Sequence, residues 1–251
     1  MLGMATISNW RTSERTGALR RAYRLMFAHF GHQRWWPGET PFEVCIGAIL
    51  TQNTSWSNVE RAIANLKAAR VLEPGRLLAL GESKLAALIR PAGYFNVKAR
   101  RLRSFLRVLV REFGGDLERL FAGETAVVRE RLLAINGVGP ETADSMLLYA
   151  GGHHRFVVDA YTQRIFQRHG WSRADAGYQD LQRLCERALD RKPRQLRLDY
   201  WQDFHAQLVN VGKDFCRTRW PRCAECPLKP LLPRKARVAA GQREPRTRPE
   251  F

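Results

Sequence analysis

Apolar residues recur every three or four positions through most of this chain, and the polar residues between them fall on other faces. Val59, Ala62, Ile63 and Leu66 share one face of a segment running from 59 to 69, which is the period of an amphipathic helix. Leu102, Phe105, Leu106 and Leu109 repeat the pattern between 99 and 113, while Arg100, Arg101, Arg103 and Arg107 take other faces. The same spacing predicts helices over 128–135, 142–149, 161–168, 178–189 and 201–211. No convincing alternating run marks a strand, so the pattern predicts an all-α fold. Short Gly, Pro and Asn breaks separate the helices. From about Lys235 the chain turns rich in Arg, Pro, Gly and Glu, and a disordered basic tail is expected over 235–251. There is no internal repeat.

Composition narrows the partner. The chain has 251 residues, 45% hydrophobic and 26% charged, as in globular proteins. Its formal net charge is +18, which favours a polyanionic partner, either nucleic acid or an anionic membrane surface. No predicted helix joins a basic face to a large aromatic one, as a membrane-surface helix requires. No apolar run is long enough to span a bilayer, and no signal-like segment opens the chain. The expectation is a soluble, intracellular protein. Five cysteines in such a chain do not suggest a disulfide framework. Cys216, Cys223 and Cys226 follow a spacing of six and two residues that suits soft-metal ligation. Cys45 and Cys185 read as small core residues.

The segment Leu133-Ala134-Ile135-Asn136-Gly137-Val138-Gly139-Pro140-Glu141-Thr142-Ala143 carries the most chemistry. Gly137 and Gly139 can take backbone angles closed to other residues and let a phosphate approach. Pro140 suits the first position of a helix. The amides around Val138 and the positive end of the following helix then face an anion. A plain interhelix turn has the same look, but the amphipathic helix before it and the basic composition favour DNA. Downstream, Phe156-Val157-Val158-Asp159-Ala160-Tyr161 ends an apolar stretch on one carboxylate. Asp159 suits a helix N-cap and also suits chemistry, and the two roles can coexist.

Together these segments resemble the helix-hairpin-helix DNA glycosylases of the endonuclease III superfamily. Three further motifs extend the likeness in family order: Ile49-Leu50-Thr51-Gln52-Asn53-Thr54, Gly93-Tyr94-Phe95-Asn96-Val97-Lys98-Ala99, and the cysteine cluster. The resemblance runs from about residue 33 to 232. It implies a six-helix barrel over 33–153 carrying the hairpin. An N-terminal helix within 1–32 would pack with a helical, cluster-loop domain over 154–234. The hairpin and Asp159 would meet at the cleft between them.

The resemblance also assigns roles. A base in a duplex must be flipped out before its N-glycosidic bond can be cut. Gln52, with Asn53 beside it, would enter the gap, and Tyr94 would wedge beside the opposite base; a buried Gln52 amide bonded to backbone is the plainer reading. Asn96, Lys98 and Arg101 would track the DNA backbone, and Lys213 is a further cation near the cleft. Asp159 matches the superfamily's essential Asp and would stabilise positive charge on the sugar while water attacks, as carboxylates do in glycoside hydrolysis. Relatives with strand-cleaving activity carry a Lys nucleophile where Glu141 stands here, so a monofunctional glycosylase is expected. Glu141 with Asp159-Ala160-Tyr161, and Trp35-Trp36-Pro37 with Trp56, resemble the 3-methyladenine DNA glycosylase subgroup. Trp36, Trp56, Glu141 and Tyr161 would line the base pocket, where an electron-rich indole face attracts a cationic purine.

The family's cysteine loop holds an iron–sulfur cluster on four cysteines. Here the fourth position is Leu232, so three readings stay open: a 4Fe–4S cluster with a non-cysteine fourth ligand, a 3Fe–4S cluster, or an empty loop; a bound cluster, 4Fe–4S first, is the expectation, because the spacing of the other three cysteines is intact. The expected partner is double-stranded DNA with a damaged base, and the expected state is a monomer. Two alternatives stand beside this reading. One is an oxidised-pyrimidine glycosylase of endonuclease III type, against which Glu141 argues. The other is a catalytically silent DNA-binding relative, against which Asp159 and the tryptophans argue.

Overall fold

A computed structural model describes residues 12–33, 38–173 and 175–233. Among them lie twelve α-helices, two short 3-10 turns and no strand. No described helix is long and apolar enough to cross a membrane. The chain divides into two compact units, one within residues 36–157 and the other within 1–35 and 158–251. The division falls inside the apolar stretch Phe156–Val158.

The 36–157 unit contains α2 (Pro41–Leu50), α3 (Trp56–Ala68), α4 (Pro74–Ala79), α5 (Glu82–Leu88), α6 (Phe95–Phe113), α7 (Leu117–Phe121), α8 (Thr125–Leu133) and α9 (Pro140–Tyr149). Helix α2 packs against α9, α6 and α3, and α6 against α4, α5 and α7. Nearly every residue of α2 is buried, so it has no polar face and its sequence shows no helical period. Its start is nonetheless well signalled: Pro41 takes the first turn, and Thr40 Oγ1 accepts a hydrogen bond from the Glu43 amide at 3.1 Å, the usual N-cap arrangement. Helices α4, α5 and α7 span fewer than two turns each, too short for periodicity to reveal.

Helix α6 is the longest of this unit, at 19 residues. Leu102, Phe105, Leu106 and Leu109 are fully buried along one stripe, as their spacing predicts. The helix starts four residues before the segment that periodicity marks, at Phe95. Gly114 ends it in the left-handed region (φ 67°), where glycine carries no Cβ penalty.

The other unit contains α1 (Thr12–Phe30), α10 (Ala160–His169), α11 (Tyr178–Leu189) and α12 (Arg194–Asp214). Helix α1 packs against α11 and α12, and α10 against α12. Asp203, buried in α12, ties α1 and its exit to the unit: Tyr23 Oη and the Gln33 amide each donate to its carboxylate at 2.7 Å. Helix α12 begins two turns before its apolar stripe, because its first turns are polar and largely exposed.

Candidate nucleic-acid interface and catalytic carboxylate

In the 36–157 unit, the loop Ala134–Gly139 joins α8 to α9 as a tight hairpin. Gly137 has φ +89°, a conformation that side chains resist. A Cβ there would also lie 2.3 Å from Arg101 Cγ, so two independent constraints require glycine. Gly139 differs from the expectation. Its backbone is extended (φ −93°, ψ 179°), and a Cβ would meet nothing within 4 Å. Its value lies in leaving open the N-terminus of α9, which it caps without a side chain. Val138 is buried, and its amide is used within the turn, donating to Ile135 O at 3.0 Å. Of the hairpin amides, those of Asn136, Gly137 and Gly139 donate to no described acceptor. Those amides and the helix end can therefore meet an anion.

The Gln52 loop is wired to this hairpin. Gln52 Nε2 donates to Gly137 O at 3.0 Å and to Thr142 Oγ1 at 2.9 Å, while its Oε1 accepts from the Arg101 guanidinium. The side-chain amide of Gln52 is thus engaged inside the protein rather than held out as a finger. The exposed tip of that loop is Asn53, in the left-handed region at φ +54°. Tyr94 is the counterpart in the second loop, 70% exposed with φ +46°. Asn96 is exposed in the first turn of α6.

Lys98 corrects the sequence reading. The resemblance places it among the cations tracking the DNA backbone, but it is 1% exposed. Its ammonium donates to Leu50 O at 2.8 Å and Ala92 O at 2.7 Å. Position 98 falls on the apolar stripe of α6 one turn before Leu102, and the stripe carries it inward. Burial, with Arg101 adding, lowers its pKa to about 8. Arg101 is likewise engaged by Gln52 and packed on Gly137. Sequence reasoning also missed Asp144, fully buried in α9, whose carboxylate accepts from Arg129 Nε at 2.7 Å and Nη2 at 3.2 Å. The pair braces α8 against α9 from behind the hairpin.

Of the proposed base-pocket residues in this unit, Glu141 is exposed in the first turn of α9. Trp56 is half-buried at the start of α3, against the unit's core and close over Gly47. Trp36 lies outside the described residues.

In the other unit, Asp159 is the N-cap of α10. Its Oδ1 accepts from the Thr162 amide at 2.7 Å and the Thr162 hydroxyl at 2.8 Å. The second oxygen, Oδ2, lies 3.7 Å from His205 Nε2. Burial pushes this carboxyl up, but His205 and the Thr162 donors outweigh it and hold it below the ordinary value. One oxygen thus anchors the side chain, and the carboxyl group stays ionised below the ordinary range. His205 carries no sequence signal, because only the fold brings α12 against α10. Tyr161 follows in the first turn, under the Arg164 guanidinium at 5.1 Å. Gly212 makes room for that ring, since a Cβ would meet Tyr161 Cδ1 at 2.3 Å. Lys213, next to it, is exposed.

Comparison with known proteins settles the family. Residues 46–191 match the HhH-GPD superfamily of base excision DNA repair proteins. The chain is 45% identical over 210 residues to a provisionally named DNA repair glycosylase of Methanocaldococcus jannaschii, covering 83% of this chain and 93% of that one. This chain belongs to the HhH-GPD superfamily. Among solved structures, an H. pylori 3-methyladenine DNA glycosylase bound to 1,N6-ethenoadenine aligns with TM-score 0.66 and 29% identity, over 81% of this chain and 98% of that one. Endonuclease III in a non-covalent DNA complex aligns with TM-score 0.74 over 89% of this chain and 98% of that one, at 22% identity, which speaks to fold alone. The all-α HhH-GPD fold expected from the sequence is the one observed.

The cysteine loop of this HhH-GPD protein does not fit a four-cysteine cluster. Cys216 and Cys226 are buried and Cys223 partly so. Leu232 is buried at the fourth position. Among the described residues, no group of three or more His, Cys, Asp or Glu side chains is placed to hold a metal ion. Burial pushes the Cys226 thiol up to about 12, with Cys216 and Cys223 adding to it, so it stays protonated without a metal. Cys216 Sγ instead accepts from Arg168 Nη1 at 3.3 Å, and the same guanidinium donates to Arg217 O at 2.6 Å. His169, one residue on, is buried against this loop. Its Nδ1 faces Ile165 O at 2.8 Å, and burial holds it neutral, near 4. Its Nδ1 meets a backbone carbonyl rather than a thiol.

Proposed function

We propose that this HhH-GPD protein is a monofunctional DNA glycosylase acting on damaged bases in double-stranded DNA, with alkylated purines such as 3-methyladenine and 7-methylguanine as its substrates. The observation that carries the reading is the Asp159 carboxylate, anchored through Oδ1 and held ionised with Oδ2 beside His205. Cleavage of an N-glycosidic bond builds positive charge on the sugar, and a preset carboxylate stabilises that charge without reorganising. Water then attacks the anomeric carbon, the base departs with the bonding electrons, and an abasic site results. The hairpin amides and the α9 N-terminus would hold a phosphate, which fixes register but reads no sequence.

Two features favour hydrolysis of a cationic purine. Glu141 occupies the position where lyase relatives carry an amine, and it cannot form a Schiff base. A half-buried Trp56 presents an indole that can attract a positively charged base, and the alkylated base is itself a good leaving group. The likeness to the H. pylori 3-methyladenine enzyme points the same way. We further propose that the protein acts as a monomer.

The test is a panel of duplexes carrying methylated purines, oxidised pyrimidines or mismatches, each analysed with and without hot alkali. Release of methylated purines, with strand breaks only after alkali, is the expected result. Breaks without alkali, or covalent trapping on DNA by borohydride, would overturn the monofunctional assignment. Release of oxidised pyrimidines alone would overturn the substrate class.

A further inference from the structure

Lys98 is a buried charge that the proposed chemistry does not use. Its two acceptors are telling. Leu50 is the last residue of α2, and Asn53 follows three positions on. Ala92 ends the 3-10 turn Arg90–Ala92, and Tyr94 follows two positions on. Carbonyls at helix C-termini lack intrahelical donors, and one ammonium satisfies two of them from different segments at 2.8 and 2.7 Å. Both carbonyls lead straight into a tip whose non-glycine residue sits in the left-handed region, Asn53 at 54° and Tyr94 at 46°. Such backbones persist only where their surroundings impose them. One turn along the same helix face, Arg101 engages Gln52 and backs Gly137. Two cations of α6 therefore tie together the Gln52–Asn53 loop, the Tyr94 loop and the hairpin.

We propose that Lys98 is a positioning residue, which holds the Asn53 and Tyr94 tips at a set separation so that both can occupy a gap in the base stack together. The proposal rests on the base-excision reading. It assigns Asn53, rather than the internally bonded Gln52, as the side chain that the first loop offers to DNA. Charge-assisted hydrogen bonds are stronger than neutral ones, so a neutral or missing amine leaves the tips loosely coupled. Among the described residues, Arg101 is the charged group that acts on Lys98, whose ammonium otherwise bonds carbonyl oxygens.

The experiment compares affinity for a duplex with an abasic-site analogue against affinity for the same duplex undamaged, in wild type, Lys98→Met and Lys98→Arg. A loss of folded protein lowers both affinities equally, so their ratio reports positioning alone. Wild type should prefer the abasic duplex. Lys98→Met should lose about tenfold of that preference, equivalent to about 1.4 kcal/mol, and bind undamaged DNA nearly as before. Lys98→Arg, with donors of fixed charge, should restore most of it. An unchanged ratio in Lys98→Met overturns the positioning role and leaves the base-excision reading standing. A wild type with no preference sinks that reading, and the positioning role with it. If Lys98→Met does not fold, the wild-type ratio taken across pH decides. It should fall as pH rises through about 8, and Lys98→Arg should hold flat. A flat wild-type profile overturns the proposal.

Discussion

Gly137 and Gly139 look equivalent in sequence, but the structure predicts opposite consequences for replacing them with alanine. At Gly137 the backbone sits at φ +89°, and a Cβ would lie 2.3 Å from Arg101 Cγ and 2.9 Å from its Cβ and Cδ. Left-handed backbone costs a non-glycine residue about 1–2 kcal/mol. Those three Arg101 atoms lie in the root of its side chain, so relief requires the whole side chain to swing away. That breaks its bond to Gln52, and a hydrogen bond to a charged group is worth about 1.5–3 kcal/mol. Gly137→Ala should thus destabilise the protein by about 3 kcal/mol or more, a fall of roughly 6–12 °C in Tm for a chain of this size. Gly139 has φ −93° and open space around its Cβ position. Gly139→Ala should leave stability within about 0.5 kcal/mol of wild type. It should weaken binding to any duplex by roughly twofold to fivefold, since an anion at a helix N-terminus is worth about 0.3–1 kcal/mol. Calorimetry and fluorescence anisotropy on one undamaged duplex measure the two effects separately. The reasoning fails if Gly137→Ala melts with wild type, or if Gly139→Ala loses as much stability and no affinity.

Asp159→Asn should abolish base release while DNA affinity and Tm hold, because Asn caps helices about as well as Asp; Asp159→Ala should lose about 1 kcal/mol of stability as well. Because His205 and Thr162 depress the Asp159 pKa, its carboxylate stays charged as pH falls through the ordinary range and gains its proton only below it. The acid limb of base release should therefore lie low in wild type. His205→Gln should move it to higher pH, and single-turnover rates across pH would show whether it does. Leu232→Cys completes the spacing of a four-cysteine loop. In protein prepared without oxygen it should hold more iron and sulfide than wild type and show a stronger visible charge-transfer band; no gain over wild type would refute the idea that a fourth cysteine is what the loop lacks.

The cofactor question shows how far sequence reasoning can reach. Loss of the fourth cysteine is plain at Leu232, because ligation depends on residue type. That Cys216 is engaged by Arg168, and that the buried His169 bonds a carbonyl of its own helix rather than a thiol, depends on how α10 packs and leaves no trace in spacing. The amphipathic helices are legible for the opposite reason, since burial along one face is written into the period of apolar residues. Helix α2 escapes because burial on every side erases that period, and α4, α5 and α7 because they are too short to have one.

By itself, then, the sequence determined the all-α class, the hairpin between α8 and α9, and Asp159 as both cap and candidate carboxylate. These follow from local physics: glycine's backbone freedom, proline's fixed φ, and a carboxylate three residues from the amide it caps. Tertiary structure alone decided that the Lys98 ammonium reaches the Leu50 carbonyl, that Gln52 is bonded within the protein, and that His205 stands beside Asp159. Each of these joins residues 46 to 90 positions apart. Separations of that length are closed by packing of apolar faces, which polar side chains must then accommodate, and no local pattern records the outcome.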